Sequence, residues 1–198
     1  MLVTPIQLAG TIVRLDPLLL SHTGALAGVG LHPELWALQP RAMSTPADMQ
    51  AYVDMALDEQ ARGTSLPFVI VRQDSNAVVG STRYMDIALQ HRRLEIGATW
   101  LTPSAQGTGA NVEAKLLLLT HAFETLAMQK VVLKTETLNV TSRRAILALG
   151  AIEEGTFRKH LIADDGRARD MVYFSILDAD WPEVKHALMQ RLARHERA

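Results

Sequence analysis

Hydrophobic and polar positions along this chain switch period repeatedly, between the two-residue alternation of strands and the three-to-four-residue recurrence of helices. Gly10 to Leu15, carrying Ile12, Val13 and Leu15, reads as a short strand, and a weak helical stretch follows near Ser21 to Ala27. Thr45-Pro46-Ala47-Asp48 is a helix start: a Thr cap, Pro at the first helical position and an acid two residues later. Met49, Tyr52, Val53, Ala56 and Leu57 then recur at helical spacing until Gly63. Phe68 to Arg72, Val78 to Tyr84 and Leu94 to Leu101 read as three strands of an antiparallel meander. On the third, strict alternation places Leu94, Ile96, Ala98 and Trp100 on one face and Glu95, Gly97 and Thr99 on the other.

A Gly-rich loop, Pro103 to Asn111, opens a long helix with Val112, Leu116, Leu119, Phe123 and Leu126 on one apolar face. Val131 to Glu136 is the next strand, and Ser142 to Leu149 a short helix stopped by Gly150. Gly155 to Leu161 and Met171 to Leu177 form a hairpin around Asp164-Asp165-Gly166. Asp180-Trp181-Pro182-Glu183 begins a last helix, with Val184, Leu188 and Leu192 inward and a solvated tail from Arg194 to Ala198. The pattern predicts an α/β (α+β) protein, a mixed sheet with helices packed on it.

No Pro/Gly/Ser-rich linker interrupts the 198 residues, so one domain over 1–198 is expected. A hydrophobic fraction of 48% and a charged fraction of 21% fit a soluble globular chain. The net charge of −1 argues against a dedicated nucleic-acid binder. With no cysteine, disulfides, thiol nucleophiles and thiolate metal sites are excluded. Met1 to Gly10 includes Pro5 and Gln7 and has no signal-peptide pattern, and no apolar run reaches the roughly 18 residues of a membrane span. A cytoplasmic protein without membrane attachment is expected.

The chemistry concentrates at Leu101-Thr-Pro-Ser-Ala-Gln106-Gly-Thr-Gly109-Ala-Asn-Val, where a strand enters a glycine loop and the loop a helix. The first amides of a helix lack internal partners, and its dipole is positive at that end. Glycines let such a backbone close on phosphate oxygens. No Lys-Ser/Thr follows the glycines, so the P-loop pattern fails. Val112 stands where a dinucleotide fingerprint needs its third glycine. The seven histidines show no metal-ligand spacing, so no metal is expected, and no serine sits in a G-x-S-x-G elbow.

Gln106-Gly107-Thr108-Gly109-Ala110 resembles the Q/R-x-x-G-x-G/A pyrophosphate loop of the GNAT superfamily of acyl-CoA N-acyltransferases, with Asn111 in place of the last small residue. Glu113-Ala114, Ala122-Phe123, Asn139-Val140-Thr141-Ser142, Leu149-Gly150-Ala151 and Glu154-Gly155 resemble the branch related to ribosomal-protein N-acetyltransferases (RimJ/RimL-type). The resemblance runs from about Leu94 to Leu177. It implies a GNAT fold, a mixed and mostly antiparallel sheet of six or seven strands flanked by four or five helices. It implies transfer of an acetyl group from acetyl-CoA to a primary amine, on a small molecule or a protein N-terminus, by direct attack. A homodimer is compatible with it.

Under that resemblance the amides of Gln106, Gly107, Thr108, Gly109, Ala110 and Asn111 hold the pyrophosphate. Backbone groups near Leu101 and Thr102 hold the pantetheine arm, while Trp100 reads as core. A carboxylate in mid-strand is unfavourable unless its face is wet or functional. Glu95 is therefore either the general base or a strand residue paired with Arg93 or Arg83. Asn139 either bonds the pantetheine or caps the short helix. Ser142 is a cofactor contact and a candidate acid toward the leaving sulfur, because Ile146 occupies the position of the tyrosine many members use. Arg92-Arg93 or Arg143-Arg144 could meet a 3′-phosphate, Arg143 or Arg144 being the preferred candidates, although such pairs usually face solvent. The alternative function is a catalytically inactive acyl-CoA sensor or scaffold of the same fold.

Overall fold

A computed structural model describes residues 3–39 and 41–195 of the protein. Its strands are β1 (Leu8–Ala9), β2 (Val13–Pro17), β3 (Leu66–Arg72), β4 (Val78–Ala88), β5 (Arg93–Leu101), β6 (Lys130–Glu136), β7 (Ile152–Ile162) and β8 (Ala168–Leu177). Its helices are α1 (Thr23–Gly30), α2 (Pro33–Trp36), α3 (Pro46–Ala61), α4 (Ala110–Thr120), α5 (Val140–Leu147) and α6 (Trp181–His195). The strands form one sheet in the order β1-β2-β3-β4-β5-β6-β8-β7, antiparallel except where β5 meets β6. The eighth strand, beyond the seven legible in the sequence, is the two-residue β1. Of the expected solvated tail, Arg194 and His195 close α6, and 196–198 lie outside the described residues. No described helix is long and apolar enough to cross a membrane.

β3 shows why the sheet is central. Leu66 to Val71 are all buried, with Phe68 and Ile70 in one core cluster and Val69 and Val71 in the other. A strand covered on both faces has to be apolar throughout. On one face lie α4, α5 and α6, packed on Val13, Leu15, Tyr84, Leu94, Ile96 and Phe174. On the other lie α1, α2 and α3, whose Leu26, Trp36, Met49, Tyr52 and Val53 bury Val69, Val71 and Trp100. α3 starts as its sequence predicts. Thr45 accepts from the Asp48 amide at 3.2 Å, and Asp48 accepts in return from the Ser44 and Thr45 amides.

Two features correct the reading of periodicity. α4 is buried nearly all round rather than along one stripe, because it lies between the sheet and α6; Glu113 and Lys115 are buried with its apolar residues. It continues through a π-helical turn, His121–Thr125. In β5 the face assignment of Trp100 is wrong. Ser81 pairs with Trp100 and Arg83 with Gly97, so two residues of β5 stand opposite one of β4. Ala98 at this bulge has φ +46°. A bulge adds one residue and reverses the alternation beyond it. Trp100 consequently joins the face of α1–α3, opposite Leu94 and Ile96.

Candidate functional site

β5 and β6 pair through only three residues each, Arg93 to Glu95 against Lys130 to Val132. Beyond Glu95 and Val132 the two parallel strands separate, and the β6-facing edge of β5 from Ile96 onward has no ladder partner among the described residues. A parallel pair that splays leaves a cleft edged by backbone donors and acceptors. The cleft is flanked by two helix starts, that of α4 after β5 and that of α5 after β6.

The loop before α4 is shaped by its own side chains. Gln106 donates from Nε2 to Leu101 O at 3.1 Å, and Thr108 Oγ1 donates to Ala105 O at 2.7 Å. Gly107 has φ +75° and open space where a Cβ would stand, so its backbone angle is what demands glycine. Gly109 (φ +84°) is the N-terminal cap of α4, and a Cβ there would come within 2.9 Å of Ile12 Cδ1. The first amide bonded inside the helix is that of Glu113, on Gly109 O at 2.9 Å. The amides of Ala110, Asn111 and Val112 precede it and have no carbonyl within the helix to bind. Helix-start amides without an internal partner are the kind of group that can receive an anion. Ala110 is buried, so only its amide can serve, and Asn111 Oδ1 is buried without a partner among the described residues. Thr102 has both backbone groups engaged, with Val79 O and the Ala105 amide, so the free backbone of β5 lies before it.

Across the cleft, Asn139 Oδ1 accepts from the Ser142 amide at 3.0 Å and so caps α5. The Asn139 side-chain Nδ2 and the Ser142 hydroxyl make no hydrogen bond among the described residues, while the Asn139 backbone amide donates to Glu136 O at 2.9 Å. Ile146 is in the core. Arg143 pairs with Glu153 and Arg93 with Asp86, while Arg92 donates to Ala127 O.

Glu95 lies on the α1–α3 side of the sheet at the point where the cleft opens. It is 4% exposed and meets Lys134 Nζ at 2.8 Å, rather than Arg93 or Arg83. Burial pushes its carboxyl above the ordinary range, and the Lys134 ammonium pulls it part of the way back. Gly97 makes room for it: a Cβ there would stand 2.7 Å from Glu95 Oε1 and 2.9 Å from Met85 Sδ.

The same side of β4 and β5 forms the wall of a cavity of about 220 Å³, walled by Trp36 and Met43, by Tyr52 and Met55 of α3, and by Met85, Ala98 and Trp100. At its edge Arg83, 2% exposed, donates to Glu59 at 3.1 Å and lies 4.8 Å over the Tyr52 ring. A second, polar cavity adjoins it, sharing Arg41, Met43 and Tyr52 and adding Asp48 and Asp164. The hairpin that carries Asp164 is fixed by Glu136, which binds Arg167 and Arg169, while Arg169 donates to Leu38 O at 2.6 Å.

These cavity residues were not legible as a site in the sequence. The only signal was Arg83, a charge in mid-strand, and its partner sits 24 residues away on a helix. Two buried groups on α4 were equally hidden. Glu113 accepts from the amides of Thr11, Ile12 and Val13 and from Thr11 Oγ1, at 2.6–2.9 Å. Lys115 reaches the Thr99 hydroxyl at the bulge, and burial draws its pKa down to about 7. Among the described residues no cluster of His, Asp or Glu could hold a metal ion.

Comparison with known proteins places this arrangement. Residues 13–152 match the acetyltransferase (GNAT) domain. YdaF of Bacillus subtilis (strain 168), provisionally named a ribosomal N-acetyltransferase, is 34% identical over 95 residues, 48% of this chain and 51% of YdaF. The chain thus matches about half the length of this curated relative. The crystal structure of a provisionally named acetyltransferase from T. thermophilus superposes with a TM-score of 0.87 at 36% identity, over 97% of this chain and 100% of that one. A GCN5-related N-acetyltransferase from Brucella melitensis gives 0.88 at 28% identity, over 96% and 86%. This chain therefore belongs to the GNAT acetyltransferase family.

Proposed function

We propose that the protein moves an acetyl group from acetyl-CoA to a primary amine by direct attack, as one catalytic domain. The observation that carries this reading is the cleft between β5 and β6 with the unpaired amides of α4 at its mouth. Those amides suit a diphosphate, the positive φ of Gly107 and Gly109 keeps the loop open to it, and the open edge of β5 offers backbone partners to an amide-containing arm. Acetyl-CoA supplies the acyl group as a thioester.

The residues then divide the work. Gln106 to Asn111 bind the pyrophosphate through the backbone. The edge of β5 leading to Leu101 and Thr102 orients the arm, and unpaired amides near the bulge face the oxygen on which charge develops. Glu95 holds the proton that the amine must lose, directly or through water; a carboxyl raised by burial is a better base than an ordinary one. Asn139, its Oδ1 engaged in capping, keeps its side-chain Nδ2 for the arm. Ser142 offers its hydroxyl to the departing sulfur.

Calorimetry with coenzyme A, followed by free-thiol release with a panel of amines, tests this. Binding and amine-dependent thiol release are expected. No heat with coenzyme A overturns the reading.

A further inference from the structure

Resting on that reading, we propose that the cavity between α2, α3, β4 and β5 is the acceptor site, and that it takes a primary amine borne on a bulky, uncharged apolar group with an oxygen acceptor close by. An amino acid amide or a peptide N-terminus whose first side chain is aromatic, thioether or branched aliphatic has this chemistry.

Four observations carry it. First, place: Ala98 lines the cavity at the bulge of β5, just past the point where β5 leaves β6, and Met85 both lines it and crowds Gly97 together with Glu95. The cavity and the α4 cradle thus approach β5 from different sides, so an amine held in the cavity reaches the cleft beside Glu95. Second, size and lining: an apolar cavity of roughly 150 Å³ holds a benzene ring, and this one is about 220 Å³ with three aromatic and three methionine side chains in its walls. Methionines adapt to apolar groups of varied shape.

Third, unpaired donors: Trp100 Nε1 and Arg83 Nε are buried without partners among the described residues, on side chains 5% and 2% exposed, and both residues line the cavity. A buried donor without an acceptor is costly. A ligand oxygen near the amine, such as the carbonyl beside an α-amine, satisfies one. Fourth, charge: the lining carries Arg83 and Arg41 against one carboxylate, Glu59, which pairs with Arg83. Walls of net positive charge in an apolar cavity repel a second cation and favour the neutral form of the attacking amine. The polar neighbouring cavity, with Asp48 and Asp164, accommodates the second residue of a peptide acceptor.

The test uses the full chain with acetyl-CoA and reads thiol release for phenylalaninamide, methioninamide, lysinamide, aspartamide and spermidine, and for peptides differing only in their first residue. The apolar acceptors are expected to show kcat/KM at least about tenfold above the charged ones, the scale on which apolar pockets discriminate. Met55→Trp, at a half-buried wall position, should raise KM for phenylalaninamide several-fold with kcat little changed. Arg41→Glu, at an exposed one, should narrow the gap between phenylalaninamide and spermidine. Calorimetric titration of phenylalaninamide in the presence of coenzyme A, with binding weakened in Met55→Trp, reads binding apart from turnover. Equal rates across the panel, or the fastest rate with spermidine, overturn the inference and leave acetyl transfer standing. Coenzyme A binding with no thiol release from any amine overturns both.

Discussion

Two buried carboxylates, Glu113 on α4 and Glu95 on β5, stand on opposite sides of the sheet, and their surroundings differ in kind. Glu113, 5% exposed, has no cation among the described residues; three backbone amides and a hydroxyl of the β1–β2 turn converge on it. Charge-assisted bonds from amides satisfy a carboxylate fully and fix the donors in return. A Cβ on Gly10 would overlap its carboxyl carbon, at 2.3 Å, so the turn is fitted around it. Glu95, as buried, has one ammonium, from a lysine that is itself partly exposed, and its carboxyl is raised by burial. A saturated buried acid is a structural clamp. An under-satisfied one at the mouth of a cleft retains the capacity to take a proton.

Four measurements break or sharpen that contrast. Glu113→Ala leaves three amides without their acceptor and should cost about 3 kcal/mol of stability, read as a lower denaturant midpoint. The folded fraction should keep its rate. If stability is unchanged, the clamp is not one. Glu95→Gln should do the reverse and lower kcat by about a hundredfold, the lower end for loss of a general base. Its melting temperature and coenzyme affinity should hold; a kcat within twofold of the parent would show that another group takes the proton.

Lys134→Met comes next. A carboxyl held above its ordinary pKa is protonated, and idle as a base, at pH values where a free one is ionised. The acid limb of kcat/KM should therefore lie above the usual carboxylate range. Removing the ammonium that pulls this pKa down should move the limb to higher pH. A limb that stays in place, or moves down, contradicts a role for Glu95. Smallest is Ser142→Ala, expected to lower kcat about fivefold, the worth of one hydrogen bond, most visibly with thioesters of poorer leaving groups. Capping of α5 should survive, because the cap accepts from the Ser142 amide and not its hydroxyl.

Local chemistry made much of this protein legible. The Thr45 cap, the turn around Gly166, the glycines before α4 and the stop at Gly150 are set by a few neighbouring residues, and the sequence alone locates each of them. Seven of eight strands were visible because their alternation or apolar runs exceed what a loop tolerates; β1, with two residues, is too short to carry a period. Trp100 was misplaced for an equally physical reason. A bulge inserts one residue into the count, and nothing in Gly97-Ala98-Thr99 announces it; only the partner strand β4 shows that the alternation breaks.

By itself, then, the sequence determined the order of elements, the glycine loop at the start of α4 and the family resemblance, since all three depend on residues close together along the chain. Tertiary structure alone decided that backbone amides converge on Glu113, that Lys134 and not an arginine faces Glu95, and that Trp36, Tyr52, Arg83 and Trp100 line one cavity. Those outcomes depend on contacts between segments tens of residues apart. Their desolvation and partners exist only once the sheet has brought the segments together.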